Sequence, residues 1–331
     1  MTDSSLQVPP FVPHPFAPDG HSQTIVARYL PGPSLRLDSV YHEIEVDHGD
    51  RLTVLETMPR SWTEGKPQAL IVHGLGGCAR SPYVVRVASR LSRLGIRVVR
   101  MNLRGAGSGF GLARGIYHAG KTGDLRSVVE WMNLRAQGSP LALIGFSLGA
   151  NLVLKLAAEA TETSLEGLDC VLAANPPIDL AACCLAMQRK ENRLYDRKFV
   201  QQLRIAVKQL QEVFPDLNPV NFPKSISLLD FDDLYTAPRS GFLNAADYYA
   251  RNSAMNFIPR IQVPGLVVHS EDDPFIPAEL FRSITFPEGL ALELILNGGH
   301  LGYLSHYPWK GDRRWLDARL AVWLATHWAL N

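Results

Sequence analysis

The stretch from Leu141 to Leu156, Leu-Ala-Leu-Ile-Gly-Phe-Ser-Leu-Gly-Ala-Asn-Leu-Val-Leu-Lys-Leu, admits few folds. Its first part, Leu141 to Phe146, is an apolar run that reads as a buried strand. A helical pattern follows at once, with Leu148, Leu152, Leu154 and Leu156 as apolar positions. Between them sits Gly145-Phe146-Ser147-Leu148-Gly149. A strand-to-helix turn this tight crowds the backbone, so glycine is required two residues either side of the serine. The turn lifts the Ser147 hydroxyl above the sheet edge. It also sets the Leu148 N–H at a helix N-terminus, where developing negative charge is stabilised. The pentapeptide alone is a weak signal, and its place between strand and helix makes it a strong one. Ser147 is the candidate nucleophile.

The chain around this turn alternates strands and helices. Tyr41–Val46 and Leu52–Met58 read as a hairpin closed by Asp47-His48-Gly49-Asp50. Gln68–His73 is a buried strand running into a glycine-rich loop, and Ser81-Pro82 opens a helix that Gly95 stops. Ile96–Met101 is the next strand, and a helix starts at Thr122 or Gly123. Leu168–Ala174, Gly265–His269 and Ala291–Leu296 are further strands. This order predicts an α/β fold, a mostly parallel central sheet with helices on both faces. Residues 178–255 interrupt it with helical patterns and no convincing strand. They read as an inserted helical cap, with Phe199, Leu203, Ala206, Val207, Leu210 and Phe214 on one helical face. The expected division is an N-terminal arm over 1–40, proline-rich and irregular over 1–20, a core over 41–177 and 256–331, and the cap over 178–255.

A serine hydroxyl is a poor nucleophile until a base takes its proton, and that base needs an orienting partner. In such a fold the partners follow the serine in the order acid, then histidine, each in a loop after a strand. Asn297-Gly298-Gly299-His300 supplies His300 as the base. The acid lies in Glu271-Asp272-Asp273-Pro274. Asp273 is favoured because it precedes proline and stands four residues before Pro277; Asp272 is the alternative, and the unused carboxylate is expected to hydrogen-bond within the turn. An oxyanion hole needs a second backbone donor, and Leu75 in His73-Gly74-Leu75-Gly76-Gly77 is the candidate partner of Leu148. His73 itself reads as a residue that holds this loop.

Several function classes are excluded or disfavoured. A net charge of +1 gives no ground for a nucleic-acid partner. The glycine-rich Arg104-Gly105-Ala106-Gly107 lacks the spacing of a phosphate-binding loop, and no histidine pair has metal-ligand spacing, so neither cofactor nor metal is expected. Cys78, Cys170, Cys183 and Cys184 suit free thiols in a reducing compartment. Met1–Ser5 has no leader character and no apolar stretch is long enough for a membrane span, so a cytoplasmic location is expected.

These residues together resemble the α/β-hydrolase superfamily, and within it the YheT-like hydrolases, over almost the whole chain. The similarity is carried by His21-Ser22-Gln23-Thr24, Asp47-His48-Gly49-Asp50, His73-Gly74-Leu75-Gly76-Gly77 and Tyr117-His118-Ala119-Gly120. Phe231-Asp232-Asp233, Ala246-Asp247-Tyr248-Tyr249, Asp272-Asp273-Pro274 and Gly299-His300-Leu301-Gly302 complete it. The resemblance implies a triad of Ser147, Asp273 and His300, and cap contacts through Asp232, Asp233 and Tyr248. Ala106-Gly107 departs from the Cys-Ser pair that relatives often carry after Arg-Gly. The expected activity is a serine esterase acting on a small-molecule ester with an apolar acyl group. Acyl transfer to an alcohol through the same intermediate and a non-catalytic binding scaffold are the alternatives.

Overall fold

The computed structural model describes residues 7–30 and 37–330. Met1–Ser5, from which the lack of a leader was argued, lies outside them. Helix α1 (Gly20–Tyr29) precedes a hairpin of β1 (Val40–Glu45) and β2 (Arg51–Thr57). Then come β3 (Gln68–Val72), α2 (Pro82–Arg93), β4 (Arg97–Asn102), α3 (Thr122–Asn133), β5 (Leu141–Phe146), α4 (Leu148–Glu159) and β6 (Leu168–Ala174). Helices α5 (Leu180–Met187) and α6 (Arg193–Val213) follow, then α7 (Leu228–Phe231), a π-turn (Asp232–Thr236), α8 (Ala237–Arg239) and α9 (Ala245–Asn252). The chain ends with β7 (Gly265–Ser270), α10 (Glu279–Arg282), β8 (Leu290–Ile295), a small hairpin of β9 (Leu304–Trp309) and β10 (Asp312–Arg314), and α11 (Trp315–His327).

The main sheet has the order β1-β2-β4-β3-β5-β6-β7-β8. Strands β3 to β8 pair in parallel, while β2 runs antiparallel to both of its neighbours. This is an α/β-hydrolase sheet, mostly parallel as the alternation of strands and helices requires. Period-two alternation sends Leu70, Val72 and Leu143 to the face covered by α3 and α4. Ala69, Ile71, Ala142 and Ile144 meet α2 and α11 on the other face. Both faces are therefore buried, which is why the strands read as nearly continuous apolar runs.

Three local features depart from the sequence reading. Ser81 sits at the start of α2, yet its hydroxyl accepts the Cys78 N–H at 2.9 Å instead of capping the helix. The expected N-terminal arm carries an unpredicted helix, α1, beyond its proline-rich stretch, opened by a capping box between Asp19 and Ser22. That segment is also docked: Pro13 bridges to Ser305, and Gln23 is fully buried. Finally, β9 and β10 form a hairpin with no counterpart in the predicted elements.

His327 meets the adjacent pair Asp169 and Cys170 although it lies far from them in the sequence. Asp169 accepts hydrogen bonds from His327 Nε2 and Trp328 Nε1 at 2.7 and 2.8 Å, tying the end of α11 to β6.

Candidate active site

Ser147 stands between β5 and α4 with φ 51° and ψ −120°. This is a conformation that costs a non-glycine residue energy and persists only when its surroundings enforce it. They do so here. The Ser147 N–H donates to Ala174 O at 2.9 Å, and its carbonyl accepts from Ala150 N at 2.8 Å and Asn151 N at 3.1 Å. The glycines are required by contact: a Cβ at Gly145 would lie 2.3 Å from Gly149 O, and one at Gly149 would lie 2.4 Å from Val72 O.

The loops after β7 and β8 converge on this serine. His300 Nε2 lies 3.0 Å from Ser147 Oγ, and His300 Nδ1 lies 2.8 Å from Asp273 Oδ2. The Asp273 carboxylate also accepts from Phe275 N at 2.8 Å, Ile276 N at 3.2 Å and Asn175 Nδ2 at 2.7 Å. Burial opposes its ionisation, but His300, His269 and the Phe275 N–H outweigh burial and hold its carboxyl below the usual range. Asp272 is directed elsewhere. Its Oδ1 accepts from Ser270 Oγ at 2.7 Å and Gly299 N at 3.0 Å, so it shapes the histidine loop without touching the imidazole.

The loop after β3 approaches from the other side. A Cβ at Gly74 would lie 2.9 Å from Ser147 Cβ. Gly74 N donates to Tyr83 Oη at 3.0 Å and Gly76 N to Tyr117 Oη at 2.7 Å. Among the described residues, the N–H of Leu75, between them, has no protein acceptor, and neither has the N–H of Leu148 at the start of α4. Both residues line the cavity that holds Ser147 and His300. His73 is fully buried and neutral: desolvation pushes its pKa down to about 4. It bridges Gly74 O at 2.8 Å and the Leu103 N–H at 3.1 Å, which fixes the loop.

Sequence reasoning gave no role to several side chains that support this arrangement. Asn175, with φ 47°, donates to Asp273 and to Gly299 O, and accepts from the Tyr303 hydroxyl at 3.0 Å. Its only signal in the sequence is a polar residue at the end of an apolar strand. Thr24 Oγ1 accepts the His300 N–H at 2.9 Å, and Gln23 bonds to both the N–H and the carbonyl of Leu304. Arg104 joins the buried Asp50 and Asp124 and the exposed Asp47 in one cluster beside the loop. That explains both the Asp47-His48-Gly49-Asp50 turn and the Arg-Gly pair.

The cavity above Ser147 has a volume of about 110 Å³. Leu75, Leu148, Leu180, Met187, Phe199 and Phe275 give it an apolar lining, with contributions from α5, α6 and the segment between α7 and α9. A second cavity of about 250 Å³ adjoins it and shares Leu75, Ile116, Tyr117, Phe199 and Leu203. Asp233 and Tyr248 have structural partners: Asp233 accepts the Ala245 N–H at 2.9 Å, and the Tyr248 hydroxyl accepts the Ala119 N–H at 2.8 Å.

Residues 69–309 match the model of the alpha/beta hydrolase family. The chain belongs to the alpha/beta hydrolase family. Among relatives of this hydrolase, YheT of Escherichia coli (strain K12), which carries an esterase name, is 28% identical over 96% of this chain and 93% of its own length. The monoacylglycerol lipase of Saccharomyces cerevisiae is 27% identical over 79% of this chain, which spans 59% of that lipase. The solved structure of the Pyrococcus furiosus esterase Pf2001 shares the fold, with a TM-score of 0.57 at 16% identity over 88% of this chain and 93% of that one. Among the described residues, no helix of this hydrolase is long and apolar enough to cross a membrane.

Proposed function

We propose that this hydrolase is a serine esterase, cleaving carboxylic esters with an apolar, short to medium acyl group through an acyl-enzyme on Ser147. His300 takes the serine proton as Ser147 Oγ attacks the ester carbonyl, then delivers it to the departing alcohol. Asp273 fixes the imidazole and stabilises its charged form. The Leu75 and Leu148 N–H groups receive the oxyanion, a contribution of about 3 kcal/mol for a single such donor. Water activated by His300 releases the acid.

The observation that carries this reading is the continuous line from Ser147 Oγ to His300 to Asp273, at 3.0 and 2.8 Å. Two backbone donors without a partner among the described residues, beside the same cavity, support it, and the apolar lining supports an aliphatic acyl group. Residues 178–255 act as the cap that closes this cavity, inserted into a core of 41–177 and 256–331. The four free thiols support work in a reducing, cytoplasmic environment.

The test is a chain-length series of p-nitrophenyl esters on the wild type and Ser147→Ala, with fluorophosphonate labelling of both. Turnover and labelling of the wild type alone are expected. Equal rates in the two proteins would remove Ser147 from the chemistry. The apolar cavity also favours a second outcome, transfer of the acyl group to an alcohol, and product analysis with added alcohol measures that partition.

A further inference from the structure

Ester hydrolysis at Ser147 makes no use of one wall of the cavity, where Asp232 and His118 stand. Asp232 opens the π-turn between α7 and α8. Single turns of this kind recur at functional sites in helices. Its carboxylate accepts from the Tyr249 hydroxyl at 2.7 Å and from the Thr236 side chain, and no cation pairs with it among the described residues. Part of its surface stays accessible although the side chain lies deep in the protein, because that surface opens onto the cavity. Burial pushes its pKa up to about 6. A carboxylate kept here without a counter-ion costs stability, so its presence calls for a ligand.

His118 presents the opposite polarity. Its Nδ1 accepts the Gly120 N–H at 3.1 Å, which assigns the ring proton to Nε2. That Nε2–H has no protein acceptor among the described residues. Burial, with Lys121, Lys155 and Arg104 nearby, pushes its pKa down to about 3, so the ring is neutral. His118 packs edge-on against Tyr248 with ring centroids 5.7 Å apart, and Tyr248 packs on Tyr249 at 5.2 Å. One aromatic run thus links the open donor to the open acceptor.

Both side chains line one cavity, and a single ligand group that met both would be neutral, donating to Asp232 and accepting from His118. An ammonium group has no acceptor for the Nε2–H, and a phosphate is repelled by the carboxylate. A hydroxyl fits both. We propose that Asp232 and His118 form a hydroxyl-binding subsite, and that the preferred ester carries a free hydroxyl group. This rests on the esterase reading of Ser147. The hydroxyl belongs either to the alcohol portion or to the acyl chain, and the two sources are separable.

The test compares kcat/KM for esters in which a hydroxyl is replaced by methyl. One arm uses 2-hydroxyethyl against propyl esters of one acid; the other uses ethyl 6-hydroxyhexanoate against ethyl heptanoate. A purely apolar wall favours the methyl compound in each pair. The expected result is a preference for the hydroxyl compound of at least about tenfold in one arm, which also names the source. Asp232→Leu and His118→Phe should bring that ratio to about one or below, and Asp232→Asn should keep part of it. Fluorophosphonate labelling identifies the variants that remain folded, and the wild-type ratios stand without any variant. Ratios of one or less in both wild-type arms, with esters still turned over, would overturn the subsite and leave the esterase reading intact. A folded wild type that cleaves no ester in either arm would overturn that reading and the subsite with it.

Discussion

Thr24, in the first helix, accepts the backbone N–H of His300 at 2.9 Å, across 276 residues of sequence. The same hydroxyl donates to Gly20 O at 2.6 Å, so it is fixed at both ends. Gly299 permits this approach, since a Cβ there would lie 2.4 Å from Gly20 O and 2.9 Å from Thr24 Oγ1. Thr24→Val keeps the shape and leaves the His300 N–H without an acceptor. The cost of an unpaired buried donor is about 1–3 kcal/mol. We expect kcat to fall about tenfold with KM little changed, and fluorophosphonate labelling to slow in parallel. An unchanged kcat in a folded Thr24→Val variant would mean that the helix does not position the histidine.

Replacing Asp273 by asparagine removes the acceptor of the imidazole proton while keeping the shape of the loop. In this arrangement the expected loss of kcat is about 10³- to 10⁴-fold, since the imidazole is then held in the wrong tautomer. Asp272→Asn leaves His300 paired and should cost far less in kcat, with its main effect on melting temperature through the Ser270 and Gly299 contacts. Steady-state kinetics on the two variants separate the adjacent carboxylates. A larger kinetic loss in Asp272→Asn would reverse their roles.

The two buried carboxylates titrate with opposite sign. Asp273 has a depressed pKa in the fold, so its stabilisation is complete above the usual carboxylate range and is lost as pH falls below about 4. Asp232 has a raised pKa, about 6 against 3.8, so the fold holds a proton that the unfolded chain releases, and stability declines as pH rises between those values. Asp232→Asn should therefore melt a few degrees above the wild type at pH 8, with the gain shrinking toward zero near pH 4. A gain independent of pH would show that the pKa of Asp232 is the same in the folded and the unfolded chain.

Glycine positions divide by contact. Gly149→Ala would drive a methyl group to 2.4 Å from Val72 O and 2.5 Å from His73 O. The expected cost is about 3 kcal/mol or more, read as a large loss of melting temperature or of soluble protein. Gly123→Ala, in α3 with open space around the new carbon, should be neutral or stabilising by about 0.5 kcal/mol. Equal melting temperatures for the two variants would show that the turn at Ser147 tolerates a shift of its neighbours.

The sheet and the turn at Ser147 were legible because their signals are local. Apolar strands buried on both faces, a glycine on each side of the serine and a helix directly after it all lie in one short window. The choice between Asp272 and Asp273 was harder, because adjacent residues differ only in which way the turn directs them. The spacing to Pro277 selected the carboxylate that reaches His300. Helix α1 was missed for a different reason: its docking depends on Gln23 and Thr24, polar side chains whose partners lie at the far end of the chain, so no apolar stripe marks it. Asn175 was invisible because its three contacts come from loops that only the fold brings together.

The serine and the imidazole facing it are separated by 153 residues, and the serine is synthesised first. A growing polypeptide therefore exposes an unactivated alcohol throughout the translation of β6, helices α5 to α9 and the last two strands of the main sheet. In the proposed mechanism, reactivity arises only when the β8 loop closes against the helix made at the outset. Nascent chains are then spared premature acylation, and esterase turnover becomes a direct report of completed folding.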